Sequence, residues 1–308
     1  MVASPLAEDP LWPRAAHWIE RARPDKTYDL GLLGVPAHLT SITPTGAHAT
    51  PGAVREALLR YSTYSASHEI DLACISAGDF GDVSDPDGPS GEERTRAAVA
   101  AAAARCALLV VIGGDNSLTY SAVRGMFGET PSACGLVTVD AHHDLRDGSS
   151  NGSPVRRLIE AGLPGASIVQ VGIADFSNSP AHAARARELG ITVVLRAELR
   201  GADPACVVER TMDVAGAAGR PVFVDIDVDV CDRAEVPGCP SAAPGGLSAD
   251  ELRRLAFEFG QDPRVRGIDL TEIDATTDTL DGRTVRLAAL LVLEAAAGFA
   301  KRSRVPGA

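Results

Sequence analysis

Two short stretches hold residue types that could do chemistry together. One is DAHHD at 140–144, and the other is DIDVD at 225–229. Asp140, His142 and Asp144 stand two residues apart, as do Asp225, Asp227 and Asp229. On an extended chain, residues i, i+2 and i+4 face the same way. The spacing therefore predicts that each trio converges on one point. Carboxylates crowded in this way repel one another and lose hydration unless a cation joins them. Carboxylate oxygens mixed with imidazole suit an ion such as Mn2+ better than a thiolate-loving metal. Asp140, Asp144, Asp227 and Asp229 bring four negative charges, which two divalent cations would balance. A close metal pair lowers the pKa of a bridging water and gives a hydroxide nucleophile near neutral pH. His143 faces away from His142 and reads as a packed or orienting histidine. Asp225, deeper in its strand, reads as an orienting carboxylate.

These residues need elements that present them on one side. Apolar runs at 108–112, 135–139, 167–171, 191–195, 222–226 and 265–270 read as strands, with 28–35 and 72–76 as further candidates. Helical stretches alternate with them at 51–61, 92–105, 117–125, 154–161, 181–189, 206–217, 249–258 and 285–299. Pro51 sits at a first helical position, and Ser248 is placed as an N-cap. The alternation predicts parallel βαβ units with helices on both faces. In such sheets ligands bind at the carboxyl ends of strands. Four motifs occupy such ends, at 113–117, 140–144, 227–232 and 272–274, so the pattern puts them on one rim. Residues 1–27, polar with Trp12 and Trp18, read as an N-terminal arm with a short helix. Residues 28–308 read as a single domain, with no linker or repeat to divide them.

The 308 residues carry a net charge of −12, which argues against a nucleic-acid or anionic-membrane partner. The leading MVASPLAEDP lacks the apolar core of a signal peptide, and no apolar run is long enough to span a bilayer. Six cysteines form no C-x-x-C and read as reduced thiols in a cytoplasmic protein.

Taken together, the motifs resemble those of the ureohydrolases, the arginase and agmatinase family. DAHHD and the DVD at 227–229 match two of its signatures. GVP at 34–36, PGAVREAL from Pro51, GDFGDV from Gly78, PGG at 244–246 and LTEID at 270–274 follow in the family's order, over nearly the whole chain. The resemblance implies a three-layer αβα fold around a mostly parallel sheet of about eight strands. It also implies two divalent metal ions, Mn2+ first among them, and a homo-oligomer. Carried over residue by residue, Asp140 and Asp227 bridge the metals. His142 and Asp229 complete one site, and Asp144 and Asn116 the other. Asn116 ends GGDN at 113–116, where the family has GGDH. An amide oxygen is a poorer ligand than imidazole, so that site is expected to hold its ion more weakly. The Asp-Asn-Ser run is also good helix-start chemistry.

Glu272 matches the family carboxylate that pairs with the substrate's guanidinium or amidinium, through a charge-assisted and potentially bidentate contact. Glu272 and Asp144 are the catalytic candidates. Asn151, in NGSPV, stands where arginases carry a proton-shuttling histidine, and its amide does not titrate. Asn151 and Ser153 are read as substrate-binding, or as a Gly-Pro turn before a helix. Arg146, Arg156, Arg157, Arg283 and Arg286 lie near the motifs and suit carboxylate recognition. Arg157 and Arg286 are taken as substrate-binding. DAHHDLRDGSSNGSPVR and VGIADFSNSPAH resemble the formimidoylglutamase branch. That branch implies hydrolysis of N-formimidoyl-L-glutamate to L-glutamate and formamide, in histidine degradation, by attack of metal-bound hydroxide. Two alternatives stay open. One is a guanidino-compound hydrolase, of agmatinase or guanidino-acid type, releasing urea. The other is a metal-poor binding or regulatory subunit, favoured by Asn116 and Asn151 and opposed by the retained acidic set.

Overall fold

The computed structural model describes residues 9–302; the first eight residues of the arm and the last six of the domain lie outside them. Helix α1 (Ala15–Trp18) leads into β1 (Ile19–Arg21) and then β2 (Tyr28–Val35). Helix α2 (Thr50–Ala57) precedes a hairpin of β3 (Tyr64–Ser65) and β4 (Ile70–Asp71), followed by β5 (Ala77–Asp82). The alternation continues with α3 (Gly88–Ala103), β6 (Cys106–Gly113), α4 (Leu118–Phe127), β7 (Gly135–Val139), α5 (Pro154–Glu160) and β8 (Ile168–Ile173). After these come α6 (Pro180–Glu188), β9 (Thr192–Leu195), α7 (Pro204–Ala215) and β10 (Val222–Asp227). The chain closes with α8 (Ala249–Gln261), β11 (Val265–Thr271) and α9 (Arg283–Arg302).

Nine strands form one parallel sheet in the order β1-β5-β2-β6-β11-β10-β7-β8-β9. About eight were expected. The added edge strand, β1, comes from within the stretch read as an arm. The strand expected at 72–76 is displaced. Leu72–Cys74 instead form a 3-10 turn, because the Asp71 carboxylate accepts the Ala73 N–H at 3.0 Å and curls the chain there. Strand β5 follows in a Gly- and Asp-rich run that disguises it. It needs Gly78, since a Cβ there would lie 2.7 Å from the Tyr28 ring.

Period-two alternation puts Leu108, Val110 and Ile112 of β6 in the core on one side of the sheet, and Leu109 and Val111 in the core on the other. Strands buried on both faces need continuous apolar sequence, and β7, β8 and β10 are buried at every residue. Helix α8 starts in a capping box in which Ser248 and Glu251 satisfy each other's backbone N–H. It crosses α9 so closely that a Cβ on Gly298 would lie 2.0 Å from the Phe257 carbonyl oxygen. Helix α9 packs on α8 and α2, so much of its apolar surface is covered within the chain.

The order of the central strands positions the site. β6, β11, β10 and β7 are neighbours, and each ends at one of the four motifs.

Candidate active site

The first trio converges with Asp227 and Asp229 of the second, but not by strand parity. β7 ends at Val139 and β10 at Asp227, so DAHHD lies in a loop and Asp229 in a 3-10 turn, Val228–Val230. The chain turns across the rim, with Asp144 at φ 52° and Glu272 at φ 62°. Both are non-glycine residues in the left-handed region, a strain that gathers at functional sites. Backbone donors pin the carboxylates. Asp140 Oδ1 accepts the His142 N–H at 2.6 Å, Asp227 Oδ1 accepts the Asp229 N–H at 2.8 Å, and Asp229 Oδ1 accepts the Ala141 N–H at 3.1 Å. The His142 Nδ1 lies 2.8 Å from Asp229 Oδ2 and 3.4 Å from Asp140 Oδ1.

Five buried carboxylates, Asp140, Asp144, Asp227, Asp229 and Glu272, therefore share the space with one imidazole. Burial first, and then the neighbouring carboxylates, push Asp144 and Asp227 well above the usual range and Asp140 to about 6. Burial opposes a charge on His142, yet Asp229 and Asp140 outweigh it and raise its pKa to about 12. The imidazolium in turn holds Asp229 low against its burial. Such a set calls for positive charge. The ligand atoms of Asp140, His142 and Asp229 all lie within 4.8 Å of one another, and the buried Asp140 Oδ2 has no hydrogen-bond partner. Oxygen-rich ligands with one imidazole and an unpartnered buried oxygen fit a divalent cation.

Asn116 stands beside this cluster, its Nδ2 donating to Asp144 Oδ2 at 2.6 Å. Its backbone N–H donates to Glu272 Oε1 at 2.8 Å, and Asn151 Nδ2 donates to the same oxygen at 2.9 Å. Both bonds use Oε1, which leaves Oε2 for the cavity that Glu272 lines. Burial, then the charge of Asp115, raises Glu272 to about 7. The cavity has a volume of about 310 Å³. Its floor includes His142, Asp144, Asp227, Asp229 and Glu272, and its wall includes Arg146, Asn151 and His182.

Residues 28–298 of this chain match the model of the arginase family. The chain belongs to the arginase family. A formimidoylglutamase from Halalkalibacterium halodurans is 33% identical over 272 residues, covering 85% of each chain. The crystal structure of formimidoylglutamase from Bacillus subtilis superposes with a TM-score of 0.90 at 30% identity, covering 98% of this chain and 96% of that one. A Trypanosoma cruzi formiminoglutamase crystallised with Mn2+ gives 0.86 at 25% identity, covering 94% and 99%.

Against this arginase-family frame, Asp140, His142, Asp144, Asp227, Asp229, Glu272, Asn116 and Asn151 are brought together. Ser153, Arg157 and Arg286 are not, and their reading as substrate contacts is corrected. Ser153 is fully buried and closes a turn, its Oγ donating to the Ser150 carbonyl at 2.8 Å. Arg157 forks onto Glu92 at 2.8 and 2.9 Å and lies over the Tyr120 ring. Arg286 sits on α9, where its carbonyl accepts the Tyr61 hydroxyl, and does not line the cavity. Sequence proximity misled because Arg157 and Arg286 lie on α5 and α9, outside the cavity lining, and the Ser153 hydroxyl is spent within its own turn. His143 packs as expected, its Nδ1 2.6 Å from Gln170 Oε1. Asp225 is not at the metal cluster. It faces Asp269 in register across β10 and β11, and burial, then Asp269, pushes it well above the usual range. Asn178 and His182 were missed as cavity residues. Their signal is the short polar run SNSPAH after β8, at 177–182.

Proposed function

We propose that this chain hydrolyses N-formimidoyl-L-glutamate to L-glutamate and formamide, using a pair of divalent metal ions of which Mn2+ is the first choice. The observation that carries this reading is the polarity of the cavity. Its floor is acidic, and its wall holds Arg146, an exposed guanidinium with no ion pair among the described residues. A linear amidine with carboxylates at its far end matches both poles. A substrate with a cationic tail would meet Arg146 with like charge. The names of the relatives support the same substrate class.

Asp140, His142 and Asp229 would hold one ion, and Asp144, Asp227 and Asn116 the other. Bound divalent ions supply Lewis acidity and lower the pKa of a water near neutral pH. Glu272 orients the planar amidinium through its free oxygen, while Asn116 and Asn151 fix its carboxylate. Asn151 is itself anchored, its Oδ1 accepting the Ile42 N–H at 3.0 Å.

The deciding experiment measures formamide release from N-formimidoyl-L-glutamate by Mn-loaded protein. Agmatine, arginine and 4-guanidinobutyrate are assayed alongside for urea. Formamide release alone supports the reading. Urea from a guanidino compound moves the substrate and keeps the site, and no turnover with metal bound favours a binding subunit. Arg146→Ala should raise KM about tenfold with kcat little changed, as expected for a lost charge-assisted contact remote from the reacting carbon. An unchanged KM would remove Arg146 from the substrate site. Mild dialysis should strip the Asn116 side first and leave about one ion per chain, as read by mass spectrometry.

A further inference from the structure

Below the Asn116 amide lies a buried polar chain with no evident packing purpose. Thr119 Oγ1 is 2.7 Å from Asn116 Oδ1 and 2.8 Å from Asp269 Oδ2. Thr119 and Asp269 are fully buried, and Asn116 nearly so. A hydroxyl has a single proton to give, so Thr119 serves only one of these two acceptors at a time.

The two orientations of a carboxamide have nearly the same shape and differ in the hydrogen bonds they make. With Nδ2 toward Asp144, Asn116 donates to the carboxylate and draws the Thr119 proton onto its Oδ1. Turned over, Nδ2 donates to Thr119 Oγ1, and the hydroxyl gives its proton to Asp269. Oδ1 then faces Asp144 Oδ2, an oxygen-to-oxygen contact that is repulsive unless a cation stands between them. A cation at that point selects the turned state, and Thr119 is the group that makes it fully hydrogen-bonded.

We propose that Thr119 is a positioning residue that sets which atom of the Asn116 amide faces the second metal ion. The proposal rests on the two-metal reading above. The backbone geometry suits it. The Asn116 main chain is pinned by its N–H bond to Glu272 and by its carbonyl, which accepts the Thr119 N–H at 3.3 Å, so the amide can turn without moving the loop. Asp269 stands on β11 as the acceptor for the hydroxyl proton in the turned state.

The test is Mn2+ binding by equilibrium dialysis with metal counting, on the full chain. Wild type should show two classes of site. Thr119→Val keeps the shape and removes the hydroxyl; it should weaken the weaker class by about tenfold or more, in the range of lost outer-shell partners, and leave the tighter class unchanged. Thr119→Ser should bind like wild type. In an Asn116→Ala background, Thr119→Val should add no further loss, because Thr119 would act only through the amide. If Thr119→Val does not fold, judged by its thermal melt, Thr119→Ala gives the same readout. Wild-type binding of both ions by the hydroxyl-free variant would overturn the inference while leaving the two-metal reading intact. An undiminished effect of Thr119→Val in the Asn116→Ala background would also overturn it, by showing a general structural role. A wild-type protein that takes up a single ion per chain would overturn both.

Discussion

Asp140→Asn should cut kcat/KM by about a thousandfold or more, and the purified protein should retain less metal than wild type. Asp140 is fully buried and carries an oxygen with no hydrogen-bond partner in the heart of the acidic cluster. An amide there loses the charge and can turn N–H donors toward the ion. Electrostatic stabilisation by a metal contributes several kcal/mol, and about 1.4 kcal/mol corresponds to a tenfold change in rate. The stability effect should have the opposite sign in the chelated protein. Removing one of five crowded carboxylates relieves repulsion, so the metal-free variant should melt at or above metal-free wild type. It should then gain less on adding Mn2+, because a ligand stabilises the fold only as far as it binds. Thermal melts with chelator and with metal, beside metal counting and kinetics, check all three. A variant that keeps its metal and its rate would take Asp140 out of the site.

Glu272→Gln should lose about 10- to 100-fold in kcat/KM for the formimidoyl substrate while keeping its metal content. Glutamine preserves the shape and can still accept from Asn116 and Asn151, but it carries no charge for the amidinium. A hydrogen bond to a charged group contributes about 1.5–3 kcal/mol, which sets the expected size. Because Glu272 sits at φ 62°, its side chain is aimed by a strained backbone that few residues would adopt without tertiary support. Metal counting on the same preparation separates this role from ligation. Loss of metal together with rate would make Glu272 part of the ion site instead.

The layer architecture was legible in sequence because continuous apolar strands alternate with helices that have clear start signals. Ser248 and Pro51 mark helix starts where the structure has them. Strands β1 and β5 were harder to find. β1 has only three residues, and β5 is built of glycine and aspartate whose pairing partners, not their propensity, make them extended. At the site, residue types were enough to name the acidic cluster, but the reason given for its convergence was wrong. β7 stops before its ligands and β10 ends on Asp227; the loop after β7, a 3-10 turn after β10, and Asp144 and Glu272 at positive φ complete the arrangement. The arginines show the limit most clearly. Arg146, Arg157 and Arg286 read alike in sequence, and only the fold separates the one that lines the cavity from Arg157, paired with Glu92, and Arg286, which lies on α9 outside it. The Thr119 contact to Asp269 joins residues 150 positions apart, and no local pattern announces it.

The sheet order also governs how this chain can be made. β6 and β7 emerge early from synthesis, yet they are not neighbours in the finished sheet, because β10 and β11 lie between them. Until residue 271 has left the ribosome, two apolar strands must wait with unpaired edges and a gap the width of two strands. Unpaired apolar edges are templates for association with other chains. The last third of the sequence therefore supplies both the two strands that join the halves of the sheet and the Asp227, Asp229 and Glu272 carboxylates of the rim. A nascent chain stopped before β10 would hold neither a closed sheet nor a place for the substrate.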